Sequence, residues 1–327
     1  GFYAAKSHTL IPARECPMQP KLFAAVLDFF CRFATEHRWS VYDEETGKGL
    51  LRHLYLRYGE GTDQLMVCPV INGDALPDTD AFLDELLRRF PSVVSVMLNS
   101  NKKSTNVVLG DTYRTLFGTP YIEDVLCGKR FRIAPGAFYQ VNHDGAELLY
   151  GLAAARTGLT GQGTLLDLYC GIGSIGLSMA GRAERLFGIE IVESAVRCAG
   201  QNADLNGVAN ARFFCGDASD ASKLLERAEA EAGRIDADAV ILDPPRKGST
   251  PELIRWLCLE RRVPRVVYVS CDPTTLARDC VIFRSCGYTV GHVTPVDMFP
   301  RTGHVETVVL LSRETNPLTV EVRMEVE

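Results

Sequence analysis

Four short stretches of the chain carry side chains able to do chemistry. Asp167-Leu168-Tyr169-Cys170-Gly171-Ile172-Gly173-Ser174-Ile175-Gly176 is a glycine-rich run that begins on an acid. Ile241-Leu242-Asp243-Pro244-Pro245-Arg246-Lys247-Gly248 sets a carboxylate before two prolines, which fix φ and remove two backbone donors. Val266-Val267-Tyr268-Val269-Ser270-Cys271-Asp272-Pro273 delivers one cysteine at the end of a β-branched and aromatic run. His304-Val305-Glu306-Thr307-Val308-Val309-Leu310-Leu311 holds one acid in an otherwise apolar segment.

Each has a plain reading beside a chemical one. A cysteine is often a small buried hydrophobe, yet its thiolate is a strong nucleophile. A buried carboxylate is costly unless paired, so Glu306 either has a function or meets solvent at a strand edge. Asp167 either suits a cationic ligand or caps a turn.

Gly171, Gly173 and Gly176 have the spacing of a dinucleotide-binding turn. Glu190, ending the next expected strand, is placed to accept both ribose hydroxyls of an adenosine, and Asp217, after the third, to receive an adenine amino group. A nicotinamide dinucleotide and S-adenosylmethionine both fit these parts. The dinucleotide needs a helix N-terminus aimed at pyrophosphate. S-adenosylmethionine has no phosphate and carries an amine and a sulfonium, for which Asp167 is the better neighbour.

A stiff acidic loop beside a methyl donor suits the holding of a planar base. Carbon 5 of uracil is too poor a nucleophile to take a methyl group unaided. A thiolate adding to carbon 6 makes carbon 5 nucleophilic. A base must then take the carbon 5 proton so that the sulfur can leave. Such a scheme needs a cysteine and a carboxylate facing one base, a role open to Cys271 and to Glu306.

The elements around these residues read as α/β. From about Pro135, strands near Thr164–Leu168, Arg185–Ile191, Ala211–Cys215, Ala239–Leu242 and Val266–Val269 alternate with helices near Glu193–Asn206, Ser219–Ala232, Pro251–Leu259 and Thr274–Ser285. That order implies βαβ units and a mostly parallel sheet, with ligands bound outside the carboxyl ends of the strands. Tyr288–Val296 and His304–Leu311 have a short connection and are expected to pair antiparallel at one edge. Upstream, residues 1–19 read as loop, followed by a helix over Lys21–His37 and a hairpin of Leu50–Tyr58 with Asp63–Ile71. A helix over Asp80–Phe90 precedes strands at Val93–Leu98, Thr105–Leu109, Tyr121–Leu126 and Lys129–Ile133, an α+β and antiparallel pattern. The expected domains are 1–133 and 134–327.

Composition is that of an ordinary globular chain, with 327 residues and a net charge of −6. Residues 1–133 carry equal numbers of acidic and basic side chains, so the negative charge lies in the remainder. Charge therefore neither demands nor excludes a nucleic-acid partner. Eleven scattered cysteines, with no Cys-x-x-Cys pair, argue against a disulfide framework and for a reducing cytoplasm. No apolar run approaches a membrane span, and no signal pattern opens the chain. Because it begins at Gly1, the chain is expected to be a segment of a longer protein.

Taken together, these motifs resemble those of the bacterial RNA uracil-5-methyltransferases. The resemblance runs through Gly1-Phe2-Tyr3, Ser7-His8, Cys16, Phe138-Tyr139-Gln140-Val141-Asn142, Asp167 to Gly173, Asp243 to Gly248, Ser270 to Asp279, and Asp297-Met298-Phe299-Pro300 to Leu311. It implies a Rossmann-like methyltransferase sheet with an antiparallel last strand, preceded by a central α+β RNA-binding domain over 1–133. It implies Cys271 as nucleophile, Glu306 as proton-abstracting base, and Gln140, Tyr169, Ser174, Glu190, Asp217 and Asp243 as the S-adenosylmethionine shell. Cys16 matches the fourth ligand of an iron–sulfur cluster whose other three cysteines would lie upstream of Gly1. That match favours 23S ribosomal RNA over transfer RNA as the partner of a cytoplasmic, monomeric enzyme with no membrane contact. A non-catalytic RNA-binding protein and a dinucleotide oxidoreductase are the readings from other classes. Asp272 departs from the family's asparagine, and its charge is expected to raise the neighbouring thiol pKa unless it is hydrogen-bonded away.

Overall fold

The computed structural model describes residues 1–4, 7, 9–13, 16–218, 225–226, 229–230 and 233–313. The expected helix over 219–232 falls largely outside these residues, and the acidic tail 317–327 wholly so. Two compact units are formed, one from residues 1–125 with 132–136 and one from 126–131 with the chain from Ala137 onward.

In the first unit, β1 (Phe2–Tyr3) and β2 (Leu10–Ile11) pair antiparallel where a loop was expected. Helix α1 (Lys21–Glu36) buries Val26, Phe29, Phe30, Phe33 and Ala34, the stripe that a 3.6-residue period puts on one face. The hairpin β3 (Leu51–Gly59) and β4 (Gln64–Ile71) forms as expected. Helix α2 (Thr79–Arg89) then crosses over to β5 (Val93–Ser100), which pairs parallel with β4. This unit is therefore not purely antiparallel. The next strand is β6 (Thr112–Gly118), and the expected strand over 105–109 is loop. β6 is an edge strand exposed along most of its length, so no alternation of burial marks it in the sequence. Strands β7 (Ile122–Leu126) and β8 (Lys129–Ile133) form a two-stranded sheet of their own.

In the second unit, α3 (His143–Thr157) leads into β9 (Thr164–Leu168), α4 (Ser174–Ser178), β10 (Arg185–Glu190), α5 (Glu193–Leu205) and β11 (Ala211–Cys215). The chain then passes through β12 (Ala239–Leu242), α6 (Pro251–Arg255), β13 (Arg265–Ser270), α7 (Pro273–Ser285), β14 (Thr289–Val296) and β15 (Glu306–Ser312). The sheet order is β11-β10-β9-β12-β13-β15-β14. β9 to β13 are mutually parallel where they pair, and β15 lies antiparallel between β13 and β14. β9 and β12 are buried at every residue, as expected of strands covered on both faces. The chain moves outward from β9 to β11 and then returns past β9 to β12. That reversal makes the crevice between β9 and β12 the binding position of an open α/β sheet.

Phe82 centres the first unit's core, fully buried with its ring 5.4–6.0 Å from those of Phe29, Phe30, Phe33 and Trp39. Phe82→Ala should cost about 3–5 kcal/mol. Urea unfolding followed through Trp39, in a chain with Trp256 replaced by Phe, would measure it, and a loss below about 1 kcal/mol would refute this packing.

Candidate active site

The singled-out residues collect at one edge of the seven-stranded sheet. Tyr169 follows β9, Glu190 ends β10, Asp217 follows β11, Asp243 follows β12 and Cys271 follows β13. β15 runs the opposite way, so its first residue, Glu306, starts at that edge. The register pairs Ser270 with Thr307, which makes Cys271 and Glu306 the next positions on adjoining strands. Gln140 is buried ahead of α3, and Asn142 beside it caps α3 and donates to the carbonyl of Met298, in the connection before β15.

The glycine turn is held from two sides. Tyr169, Gly171 and Gly173 all take left-handed φ values, +66°, +56° and +82°. Such a value is strained for tyrosine and free for glycine. Gly171 also faces open space among the described residues, so its backbone is accessible. Its N–H donates to Glu190 Oε2 at 3.1 Å, and the Val192 N–H donates to Oε1 at 2.9 Å. Ser174, the first residue of α4, lies with its hydroxyl 3.0 Å from that of Tyr150. No sequence signal marks Tyr150, which lies inside a helix.

Asp167 is fully buried beneath this turn, where its Oδ2 accepts from the Gly176 N–H at 2.9 Å. Its Oδ1 has no partner among the described residues. The ligand-facing reading of Asp167 is thus replaced by the turn-capping one, because no part of the side chain reaches the surface. Burial, with the nearby Glu190 charge, pushes its carboxyl up to about 7.

The turn fits S-adenosylmethionine better than a dinucleotide. α4 has five residues, too short for a strong helix dipole at a pyrophosphate. The polar side chains placed there, Glu190 and Asp217, are acids suited to hydroxyl, amino and cationic groups.

Cys271 is half-buried and its backbone is fixed on both sides. The Ser270 hydroxyl accepts from the Asp272 N–H at 3.2 Å and donates to the Asp272 carbonyl at 3.0 Å. The Thr307 hydroxyl donates to the Ser270 carbonyl at 3.2 Å. Asp272 is the N-cap of α7, its Oδ1 accepting from Thr274 N–H at 2.8 Å and Thr275 N–H at 3.4 Å. These bonds hold its carboxyl below the usual range. Its charge is spent on the helix rather than on the thiol.

The thiol's electrostatics come from elsewhere. Burial pushes the Cys271 pKa up, the Glu306 and Asp243 carboxylates push it further, and Arg246 pulls it down. Burial also raises Glu306, with Arg246 opposing, and raises Asp243 well above the carboxylate range, with Glu306 and Asp167 adding to the shift. The centre thus comprises one thiol, two acids and one guanidinium. Arg246 stood in the sequence motif without an assigned role, and only its position shows it to be the counter-charge.

Cys16 lies in the first unit, half-buried, and no group of three or more metal-ligating side chains occurs among the described residues. No helix among them is long and apolar enough to cross a membrane.

A seven-stranded sheet with a parallel core, an antiparallel strand inserted near one edge and a glycine turn backed by acids defines a Rossmann-like methyltransferase. The profile of the family described as tRNA (uracil-5-)-methyltransferase matches residues 95–314. The chain is 39% identical over 313 residues to an RNA methyltransferase of Bacillus cereus, covering 96% of this chain and 67% of the relative. It is 40% identical over 311 residues to one of Halalkalibacterium halodurans, covering 95% and 67%. Among solved structures it is similar to the Pyrococcus abyssi tRNA (uracil-54, C5)-methyltransferase in complex with S-adenosyl-L-homocysteine. The TM-score is 0.76 and the identity 28%, over 93% of this chain and 70% of that one. The chain belongs to the RNA uracil-5-methyltransferase family.

Two variants test the local chemistry. Asp272→Ala should lower the Tm measurably, whereas Asp272→Asn should leave it nearly unchanged, since both Asp and Asn cap well. Equal losses from the two in thermal unfolding would refute the cap. For Asp167, the folded state holds its proton up to about pH 7 and the unfolded chain only to about 4. Its burial therefore removes stability progressively as pH rises through that window. Asp167→Asn lacks this slope, so its Tm relative to the parent should rise between pH 5 and pH 8. A constant Tm difference across that range would refute the buried charge.

Proposed function

We propose that this chain, an RNA methyltransferase of the uracil-5 type, acts through Cys271 and Glu306 on one uracil held between the ends of β12, β13 and β15. The observation that carries this reading is the register that sets Cys271 beside Glu306, with Asp243 at the end of the next strand over.

The Cys271 thiol first gives up its proton to solvent, against the pull of its acidic neighbours and with the help of Arg246. Its sulfur adds to carbon 6 of the base, and the electron density moves to carbon 5. When bound, S-adenosylmethionine would supply the electrophilic methyl group that carbon 5 takes, leaving as S-adenosylhomocysteine. The Glu306 carboxylate then accepts the carbon 5 proton, the carbon 5–carbon 6 double bond re-forms and the thiolate leaves. A raised pKa suits Glu306 to this step, since a base nearer neutrality holds the abstracted proton better. Asp243, whose carboxyl burial and the neighbouring Glu306 push upward, stands at the end of β12 where a polar edge of the base would lie. Glu190 and Asp217 take the adenosine end of the cofactor, while Gln140, Tyr169 and Ser174 complete its surroundings. The uridine must leave its stack to meet the sulfur, so a loop or flipped nucleotide is the substrate, and residues 1–133 supply the further RNA contacts.

Two RNA classes remain open to this chemistry. The cysteine of Glu15-Cys16-Pro17 favours ribosomal RNA, and the similarity to the Pyrococcus abyssi enzyme favours transfer RNA. Mapping 5-methyluridine across total RNA from cells with and without the gene distinguishes the two.

Cys271→Ala should lose methyl transfer by on the order of a thousandfold or more and form no covalent adduct with 5-fluorouracil RNA. An adduct that persists would place the nucleophile elsewhere. Glu306→Gln should instead accumulate a methylated RNA–protein adduct, visible as a shifted band in denaturing gels. Normal turnover by that variant would remove Glu306 from the role of base.

A further inference from the structure

The acidic loop and the nucleophile leave different strands, and a side-chain cluster joins them. Asp279, in the second turn of α7, is fully buried. Its Oδ2 accepts from the Tyr268 hydroxyl at 2.6 Å and from the Ser249 N–H at 2.8 Å. Its Oδ1 accepts from Arg278 Nε at 2.9 Å. Tyr268 stands on β13, three residues before Cys271, and Ser249 closes the loop that opens with Asp243. Arg278 turns back on that loop and donates to the carbonyls of Lys247 at 2.9 Å and Ser249 at 3.2 Å. The Thr275 hydroxyl donates to the Arg246 carbonyl at 3.3 Å and to that of Asp272 at 3.1 Å, bridging the two loops once more.

Gly248 shows how closely the parts are fitted. Its φ is +76°, and a Cβ there would lie 2.5 Å from Arg278 Nη2 and 2.7 Å from Asp279 Oδ2. Any side chain would force the clamp apart. Two prolines precede this point, so the loop has few other ways to move.

We propose that Asp279 and Arg278 are positioning residues that hold the Arg246–Ser249 end of the Asp243–Gly248 loop against the strand and helix bearing Cys271, so that Arg246 keeps its place beside the thiol. The buried carboxylate suits this task because it is matched by three donors from three segments, a hydroxyl, an N–H and a guanidinium, and charge-assisted bonds of this kind are the strong ones. The groups facing the Cys271 sulfur are then Glu306 from β15 and Asp243 and Arg246 from the clamped loop. Of these only Arg246 favours the thiolate. The clamp bonds fall at its end of the loop, on the carbonyls of Arg246, Lys247 and Ser249, whereas the Asp243 N–H is tied to the Leu168 carbonyl of β9, so loosening the clamp moves the counter-charge and leaves Asp243 in place.

The inference rests on Cys271 as the nucleophile, and the experiment separates the two ideas. The rate of Cys271 alkylation by iodoacetamide is followed against pH by peptide mass spectrometry in the parent, Asp279→Asn and Arg278→Lys. Methyl transfer and S-adenosylhomocysteine binding are measured alongside. The Arg278 side chain is about half exposed, so Arg278→Lys keeps the test available if Asp279→Asn fails to fold. The expected result is a titration midpoint moved to higher pH by half a unit or more, about a threefold loss of thiolate at a given pH below it. kcat should fall about tenfold or more while S-adenosylhomocysteine affinity changes less than twofold, since that site lies at the ends of β9 to β11. An unchanged midpoint in a folded variant overturns the clamp, whether kcat is kept or falls together with Tm. Retained methyl transfer by Cys271→Ala overturns the nucleophile reading instead, and leaves the effect of the clamp on the thiol titration to stand or fall by its own measurement.

Discussion

The antiparallel pairing of β15 with β13 is the constraint on which the catalytic edge depends. Five parallel strands present their carboxyl ends together, which gathers loops but offers no residue from a strand arriving in the other direction. β15 enters from that direction, and its first residue lands beside the last of β13. Because side chains alternate along a strand, a slip of one residue would turn Glu306 to the opposite face. β15 is buried at every residue and its run Val308–Leu311 is apolar on both faces, so its polar positions have to fix the register. The Thr307 hydroxyl bond to the Ser270 carbonyl adds a polar pin at the same register.

This placement has an electrostatic consequence. Glu306 pushes up the pKa of both Asp243 and the Cys271 thiol, and Asp243 pushes up that of the thiol as well. Like charges side by side repel, so each carboxylate opposes formation of the thiolate. Arg246 is the opposing charge that acts on both the thiol and Glu306. The rigidity of the Asp-Pro-Pro-Arg loop is thereby linked to thiol chemistry rather than to loop shape alone. The left-handed Tyr169 and the buried Asp167 are further departures from lowest energy, both beside the glycine turn, where structures commonly store strain for function.

Much of the second unit was legible because its strands are short, apolar and separated by helical stretches that a 3.6-residue period marks out. Cys271, Glu306, Glu190 and Asp243 could be read from their places at strand ends. Other features escaped. β6 is exposed on both sides and so lacks the alternation that reveals a strand, and the parallel partner of β4 could not be inferred from a helix between two strands of a unit that otherwise reads as hairpins. Asp167 read as ligand-facing because its type suits a cation, but its burial makes it a prop for the turn. Asp272 read as a threat to the thiol, and turned out to cap the helix that follows.

Local chemistry was settled by the residues themselves. Glycines set where the backbone turns left-handed, two prolines stiffen the acid loop, and Asp272 followed by Pro273 favours the start of a helix. These depend on φ, on missing donors and on neighbours within a turn, all of which are written in consecutive residues. What only the tertiary structure decided is which distant groups meet. That Glu306 faces Cys271, that Arg246 counters their charge and that Asp279 receives Tyr268 and Ser249 follow from strand order and register. Those are fixed by burial summed over the whole sheet, a quantity no single segment carries.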